Sequence, residues 1–247
     1  MCGNNQKKLG IVGGLGPMVT VSFLKRIITM TDACKDQDHI RMIVEHAPSI
    51  PDRTAYILGE SIDDPKPYLM DACRTLKEAE VAEIAIPCVT AHYYIEEISR
   101  EINIPVLDGV ALCAQYLRKK QISHVGIMAT DGSLKSGIFR ENFQEKGLDC
   151  IYPSLQAQAA VMDLIYRDVK CGKPPEKEKF QAVTDELREK GAEVILLGCT
   201  ELSVIADEWL PEGGFLDLLS VLAAKCVKDF GRLKPEYAEM TFDVVCN

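Results

Sequence analysis

Two cysteines, Cys88 and Cys199, stand in matching contexts 111 residues apart. The first closes Ala82-Glu83-Ile84-Ala85-Ile86-Pro87-Cys88-Val89-Thr90, and the second closes Ala192-Glu193-Val194-Ile195-Leu196-Leu197-Gly198-Cys199-Thr200. Each run reads as an apolar strand that ends in a thiol with a threonine close behind. In open parallel sheets, ligands bind beyond the carboxyl ends of the strands. If two halves of the chain face each other, the thiols meet across a cleft. A thiolate on one face of a carbon and a thiol on the other can remove a proton and return one to the opposite side. The competing reading is two small buried residues at strand ends, the usual fate of free cysteine.

Other residues could serve such a site. Gly13-Gly14-Leu15-Gly16-Pro17 reads as a strand-to-helix turn. Pro17 suits the first helical position, and the free N–H groups of such a turn can receive an anion. A plain tight turn is the alternative. Arg53, expected in a loop after Pro51-Asp52, has a planar guanidinium that can grip a carboxylate bidentately, or can simply pair with Asp52. Thr90, Thr130, Ser133 and Thr200 offer hydroxyl donors or turn-forming side chains. His92 and Glu201 follow the two cysteine motifs. Each is read as tuning its thiol or as belonging to a helix start. Helix N-termini beyond Cys88 and Cys199 are expected to lower the thiol pKa values.

These groups need a frame. Strands are expected at Leu9–Val12, Ile40–Val44, Ile84–Pro87, Pro105–Leu107, His124–Met128 and Val194–Leu197. Helices are expected at Pro17–Ala33, Pro67–Glu80, Tyr94–Ile102, Val110–Lys119, Lys135–Lys146, Gln156–Lys170, Glu176–Lys190 and Leu218–Phe230. Short apolar runs alternating with helical patterns imply βαβ units and parallel sheets. There is also an internal echo: Lys8–Gly14 resembles His124–Thr130, as the two cysteine runs resemble each other. The fold class is therefore α/β, with two similar halves. The expected division is residues 1–105 plus a C-terminal helix at 217–247, carrying Cys88, against residues 106–216, carrying Cys199.

The chain has 247 residues, 47% hydrophobic and 26% charged, with a formal charge of −9. This is globular composition, long enough for a full core. The acidic balance argues against nucleic acid and anionic membranes as partners. No apolar stretch reaches membrane-spanning length, and the polar start lacks a secretory pattern, so a cytoplasmic location is expected. The ten cysteines show no Cys-x-x-Cys or zinc-finger spacing, so reduced thiols are expected and no metal site. Gly14-x-Gly16 has Val19 where a dinucleotide fingerprint needs glycine, which weakens a nucleotide reading.

Gly13-Gly14-Leu15-Gly16-Pro17, Pro51-Asp52-Arg53-Thr54, Pro87-Cys88-Val89-Thr90-Ala91-His92, Ala129-Thr130-Asp131-Gly132-Ser133 and Gly198-Cys199-Thr200-Glu201 together resemble the aspartate racemase branch of the aspartate/glutamate racemases. The order and spacing fit from Lys8 to about Gly231. The resemblance implies two pseudo-symmetric α/β domains, each with a central, mostly parallel sheet flanked by helices and with the site in the cleft between them. It implies a homodimer, no cofactor, and therefore no pyridoxal phosphate and no metal. The reaction it implies is racemisation of aspartate, and of glutamate as a second candidate, with Cys88 and Cys199 as thiolate base and thiol acid. Substrate binding would fall to Gly14, Leu15, Gly16, Arg53, Thr90, Thr130, Gly132, Ser133 and Thr200. Lys170 would lie near the acidic side chain; without the resemblance it reads as a solvated helix-end lysine. One position departs from the pattern: Val89 stands where the family has Asn after the first cysteine. Rival readings are decarboxylation or isomerisation of a small diacid on the same scaffold, and a binder of amino acids without catalysis.

Overall fold

The structure is a computed structural model that describes residues 7–209 and 213–240. Two parallel sheets form its frame. The first has β1 (Leu9–Gly13), β2 (Met42–His46) and β3 (Glu83–Ala85) in the order β2-β1-β3. The second has β4 (His124–Met128), β5 (Asp149–Ile151), β6 (Val194–Leu197) and β7 (Phe215–Asp217) in the order β5-β4-β6-β7. Every pairing between these strands is parallel. β1 and β6 are buried along their whole length, as strands covered by helices on both faces must be.

The two sheets repeat one plan. In each, the first strand of the half is central, the second lies on one side and the third on the other. Beyond β3, Val106 makes a single parallel bridge to Ile84, where β7 lies beside β6 in the other sheet. The aspartates that follow match too. Asp108 caps α5 (Gly109–Lys119) and Asp217 caps α11 (Leu218–Phe230), each accepting two backbone N–H groups of its helix. The cysteines sit at equivalent places, just beyond β3 and β6.

The helices differ from the sequence expectation where the cause is local or tertiary. Arg53 does not sit in a loop. It opens α2 (Arg53–Leu58), because the Asp52 carboxylate accepts the Ala55 N–H at 2.9 Å and caps that short helix. The expected helix Lys135–Lys146 begins earlier and breaks at Gly137, giving α6 (Asp131–Ser136), capped by Thr130, and α7 (Ile138–Gln144). The expected helix Gln156–Lys170 is α8 (Leu155–Met162), which widens into a π turn at Asp163–Asp168 and tightens into a 3-10 turn at Val169–Cys171. The strand expected at Pro105–Leu107 is reduced to the Val106 bridge. The remaining helices are α1 (Pro17–Met30), α3 (Lys66–Glu78), α4 (Ile95–Ile102), α9 (Lys177–Glu189) and α10 (Thr200–Trp209). A 3-10 turn at Val89–Tyr94 joins β3 to α4.

α11 packs against both α1 and α5. One apolar cluster runs from Leu9 and Phe23 through Leu222 and Val227 to Val125 and Phe139, so core packing is continuous between the halves. Arg26 of α1 reinforces this junction with ion pairs to Asp207 and Asp217 at 2.9 and 3.0 Å. Of the C-terminal stretch expected within 217–247, the long helix ends at Phe230, and residues 241–247 lie outside the described residues.

Candidate active site

The ends of β3 and β6 point into one small gap between the two sheets. Its wall includes Leu15, Asp52, Arg53, Thr54, Cys88, Val89, Thr90, Thr130, Tyr166, Lys170, Cys199, Thr200 and Glu201. Both cysteines are buried, at 6% and 5% exposure, and both face this space. The volume is about 10 Å³, room for roughly one water.

The two sulphurs have opposite neighbours. Arg53 Nη2 donates to the Cys88 sulphur at 3.7 Å. The Cys199 thiol instead donates to Glu201 Oε2 at 3.0 Å. Burial, and then the Glu201 carboxylate, push the Cys199 thiol well above its ordinary value. The expected lowering by the helix N-terminus is therefore overturned at Cys199. Backbone N–H donation at the start of α10 is present but is outweighed by loss of solvent and by a carboxylate against the sulphur.

Arg53 is anchored rather than free. Its Nη1 donates to the Ile50 and Pro51 carbonyls and its Nη2 to the Leu15 carbonyl, all at 3.0–3.3 Å. Burial opposes its charge, but the Cys88 sulphur and Asp52 more than offset that, so its pKa is raised. Among the described residues, Arg53 Nε is a buried donor with no partner and Glu201 Oε1 a buried acceptor with none. Lys170 lies on the far wall. Its ammonium meets Asp52 Oδ2 at 3.2 Å and sits 3.9 Å from the centre of the Tyr166 ring. Burial alone would lower its pKa, whereas Glu201, Tyr166 and Asp52 together raise it. The Tyr166 hydroxyl also donates to Asp52, at 3.1 Å, and burial pushes its pKa up to about 12. Asp52 thus caps α2 in one half and holds Lys170 and Tyr166 of the other.

The hydroxyl groups are arranged differently from the expectation. Thr90, Thr130 and Ser133 form a closed triangle with sides of 2.9–3.1 Å. Each hydroxyl has one proton to give, so donation to a carboxylate requires opening this ring. Thr90 and Thr130 face the gap, and Ser133 lies behind them, 1% exposed. Gly132 also lies outside the wall. A side chain there would come within 2.7 Å of the Thr54 backbone, so its glycine lets α6 close on α2. Thr200 donates to the Pro87 carbonyl, behind the first cysteine, at 3.4 Å.

His92 does not touch the Cys88 sulphur. Its Nε2 accepts the Gly109 N–H at 3.0 Å, so Nδ1 carries the proton and donates to the Cys88 carbonyl at 2.9 Å. Burial lowers its pKa, consistent with a neutral ring that fixes the Cys88 backbone to α5. In the glycine turn, Gly14 has φ +91°, and a side chain there would strike Ala47 and Pro48. Its N–H is taken by Thr20 Oγ1 at 2.8 Å rather than left open for an anion. Gly14, Leu15 and Gly16 line a larger chamber of about 400 Å³ outside the gap. Sequence reasoning did not assign Tyr166, Thr54 or a structural role for Asp52. The spacing of Tyr166 and Lys170, one helical turn apart, was the available signal.

Fold and site together define a two-sheet α/β enzyme scaffold with one thiol at the equivalent strand end of each half. The chain belongs to the Asp/Glu/hydantoin racemase family, whose model matches residues 12–224. It is 27% identical over 235 residues to the broad specificity amino-acid racemase RacX of Bacillus subtilis, covering 90% of this chain and 97% of that one. The Picrophilus torridus aspartate racemase structure superposes with a TM-score of 0.85 at 29% identity, covering 96% of this chain and all of that one. A glutamate racemase from Francisella tularensis in complex with D-glutamate shares the fold, with a TM-score of 0.64 at 17% identity over 91% of this chain and 80% of that one. These relatives are amino-acid racemases, which are isomerases.

Proposed function

We propose that the chain racemises an amino acid by two-base proton transfer between Cys88 and Cys199, using only its own side chains. The observation that carries this reading is the pair of buried sulphurs on one small gap, with a cationic donor against the first and a carboxylate against the second. Cys88, beside Arg53, acts as the base, and Cys199, donating to Glu201, acts as the thiol acid. For the other enantiomer the roles reverse. The substrate α-carboxylate binds Arg53, where Nε lacks a partner, and the α-ammonium binds Glu201, where Oε1 lacks one. Charge that develops on the carboxylate as the α-proton leaves is met by Arg53 in a gap too small to hold bulk water. The resemblance of the motifs puts aspartate first among substrates and glutamate second. The same seating of carboxylate and ammonium is open to any α-amino acid.

The test is α-proton exchange in deuterated buffer with chiral analysis of the products. Cys88→Ala and Cys199→Ala each abolish racemisation while the fold is kept. Cys199→Ala retains exchange from one enantiomer, with retention of configuration, because Cys88 remains as base. Cys88→Ala exchanges the other enantiomer more slowly, because burial and Glu201 keep Cys199 protonated. Full racemisation by either variant refutes the two-thiol reaction.

A further inference from the structure

The gap between the thiols adjoins the larger chamber, and the two share five wall residues: Leu15, Asp52, Arg53, Lys170 and Glu201. The charged members of the chamber wall are all in this shared floor. Beyond it the wall is apolar, built by Pro17, Met18 and Val19 from the first turn of α1, Pro48 and Ile50 from the loop after β2, and Val169 from the turn after α8. The floor holds two cations and two carboxylates. One pair is already closed, since Lys170 meets Asp52 at 3.2 Å. The other two, Arg53 and Glu201, are those whose unpartnered atoms suit the α-carboxylate and α-ammonium. A bound amino acid therefore sends its side chain past a floor whose charges are used and into apolar walls. A second carboxylate on the substrate would add negative charge near Asp52 and Glu201, and the cation left to receive it, Lys170, is already paired with Asp52.

We infer that this site takes neutral amino acids with extended apolar side chains, such as methionine and leucine, and turns them over in preference to aspartate. The inference rests on the racemase reading above, extends it from the α-carbon to the side-chain subsite, and reverses the order of substrates that the motifs alone suggest. The chamber, about 400 Å³, is within the range of ligand pockets and large enough for such side chains without movement of its walls. Specificity then follows apolar contact. Each methylene removed from water favours binding, and methionine gains several carbon and sulphur contacts over alanine.

The experiment uses the full chain and follows loss of the α-proton signal in deuterated buffer from L-alanine, L-methionine, L-leucine, L-aspartate and L-glutamate. The expected result is kcat/KM for methionine and leucine at least about ten times that for alanine, a difference of about 1.4 kcal/mol, with aspartate below methionine. Exchange of aspartate and glutamate but not of methionine or leucine overturns this inference and leaves the racemase reading standing. Exchange of none of the five overturns both. Met18→Asp provides a second arm. Met18 is 61% exposed at the rim of the chamber and in the first turn of α1, where a carboxylate is favourable to the helix. This substitution lowers the methionine-to-alanine ratio of kcat/KM about ten-fold, and an unchanged ratio overturns the subsite.

Discussion

Replacing Glu201 with glutamine removes one negative charge and almost no volume, and its consequence can be worked from the geometry. Glu201 Oε2 accepts from the Cys199 thiol at 3.0 Å inside a buried wall. Two unit charges about 4 Å apart at an effective dielectric of about 20 interact by about 4 kcal/mol. This is a ceiling on what the Glu201 charge contributes to the raised Cys199 value. Burial remains in the variant and still opposes the thiolate, so the value falls but stays above the ordinary one. In the proposed two-thiol reaction the productive state has one proton between the sulphurs. The alkaline limb of kcat/KM then reports the second ionisation of the pair rather than a single residue. Burial and Glu201 both raise the Cys199 value, so in the wild-type protein this limb is expected above the ordinary thiol range. In Glu201→Gln it is expected to move down, because one of those two causes is gone. The assay is kcat/KM for racemisation across the alkaline range, in both directions. A limb that stays in place or moves up refutes the role assigned to Glu201.

The tie across the cleft predicts a second pattern. Asp52→Asn keeps a good helix cap but loses the ion pair to Lys170, which is partly exposed and contributes less than about 1 kcal/mol. Asp52→Ala loses the cap as well and falls about 1 kcal/mol further in urea denaturation. Burial would raise the Asp52 pKa, but Lys170, the Ala55 N–H and Arg53 outweigh it, and the folded value is lowered. The stabilisation is therefore present above the ordinary carboxyl value of 3.8 and is lost as pH falls through the folded value. Urea curves of wild type and Asp52→Asn, distinct at neutral pH, converge in acid. At the junction of the halves, Arg26→Met leaves Asp217 largely buried without its cation and costs about 3 kcal/mol, read as a shifted urea midpoint.

What could be read in the sequence depended on how far each signal was local. β1, β4 and β6 are legible because strands buried on both faces read as apolar runs. β5 and β7 have three residues each, too few to display a period, and they exist because β4 and β6 offer them edges. The division of α6 from α7 is a local signal at Gly137 that a continuous helical pattern obscured. The π turn at Asp163–Asp168 has no comparable signature. It brings Tyr166 and Lys170 to Asp52, a partner more than a hundred residues away, and that contact is tertiary. The two cysteine positions were legible from the repeat, but their surroundings were not. Glu201 reads as a favourable carboxylate in a first helical turn, and only the fold turns its oxygen onto the sulphur. The hydroxyl triangle crosses between the halves, so no spacing within either half announces it.

The duplicated frame presents two equivalent thiols and then makes them unequal, and thermodynamics limits what this inequality can do. Enantiomers in free solution have equal free energy, so kcat/KM must be the same in the two directions whatever surrounds Cys88 and Cys199. In the proposed two-thiol reaction, the neighbours of the thiols can only shift the balance between the two enzyme forms that carry the single proton. In that proposal the resting form keeps the proton on Cys199, whose thiol donates to Glu201 and whose value burial and Glu201 raise. One enantiomer meets this form directly. The other must draw on the less populated form, which lowers its apparent affinity by that fraction. In the proposed reaction each turnover also leaves the proton on the opposite sulphur, so the free enzyme would have to reset before repeating the same direction. The asymmetry of the pocket thus appears in KM and in kcat separately, with compensating sizes, and never in their ratio.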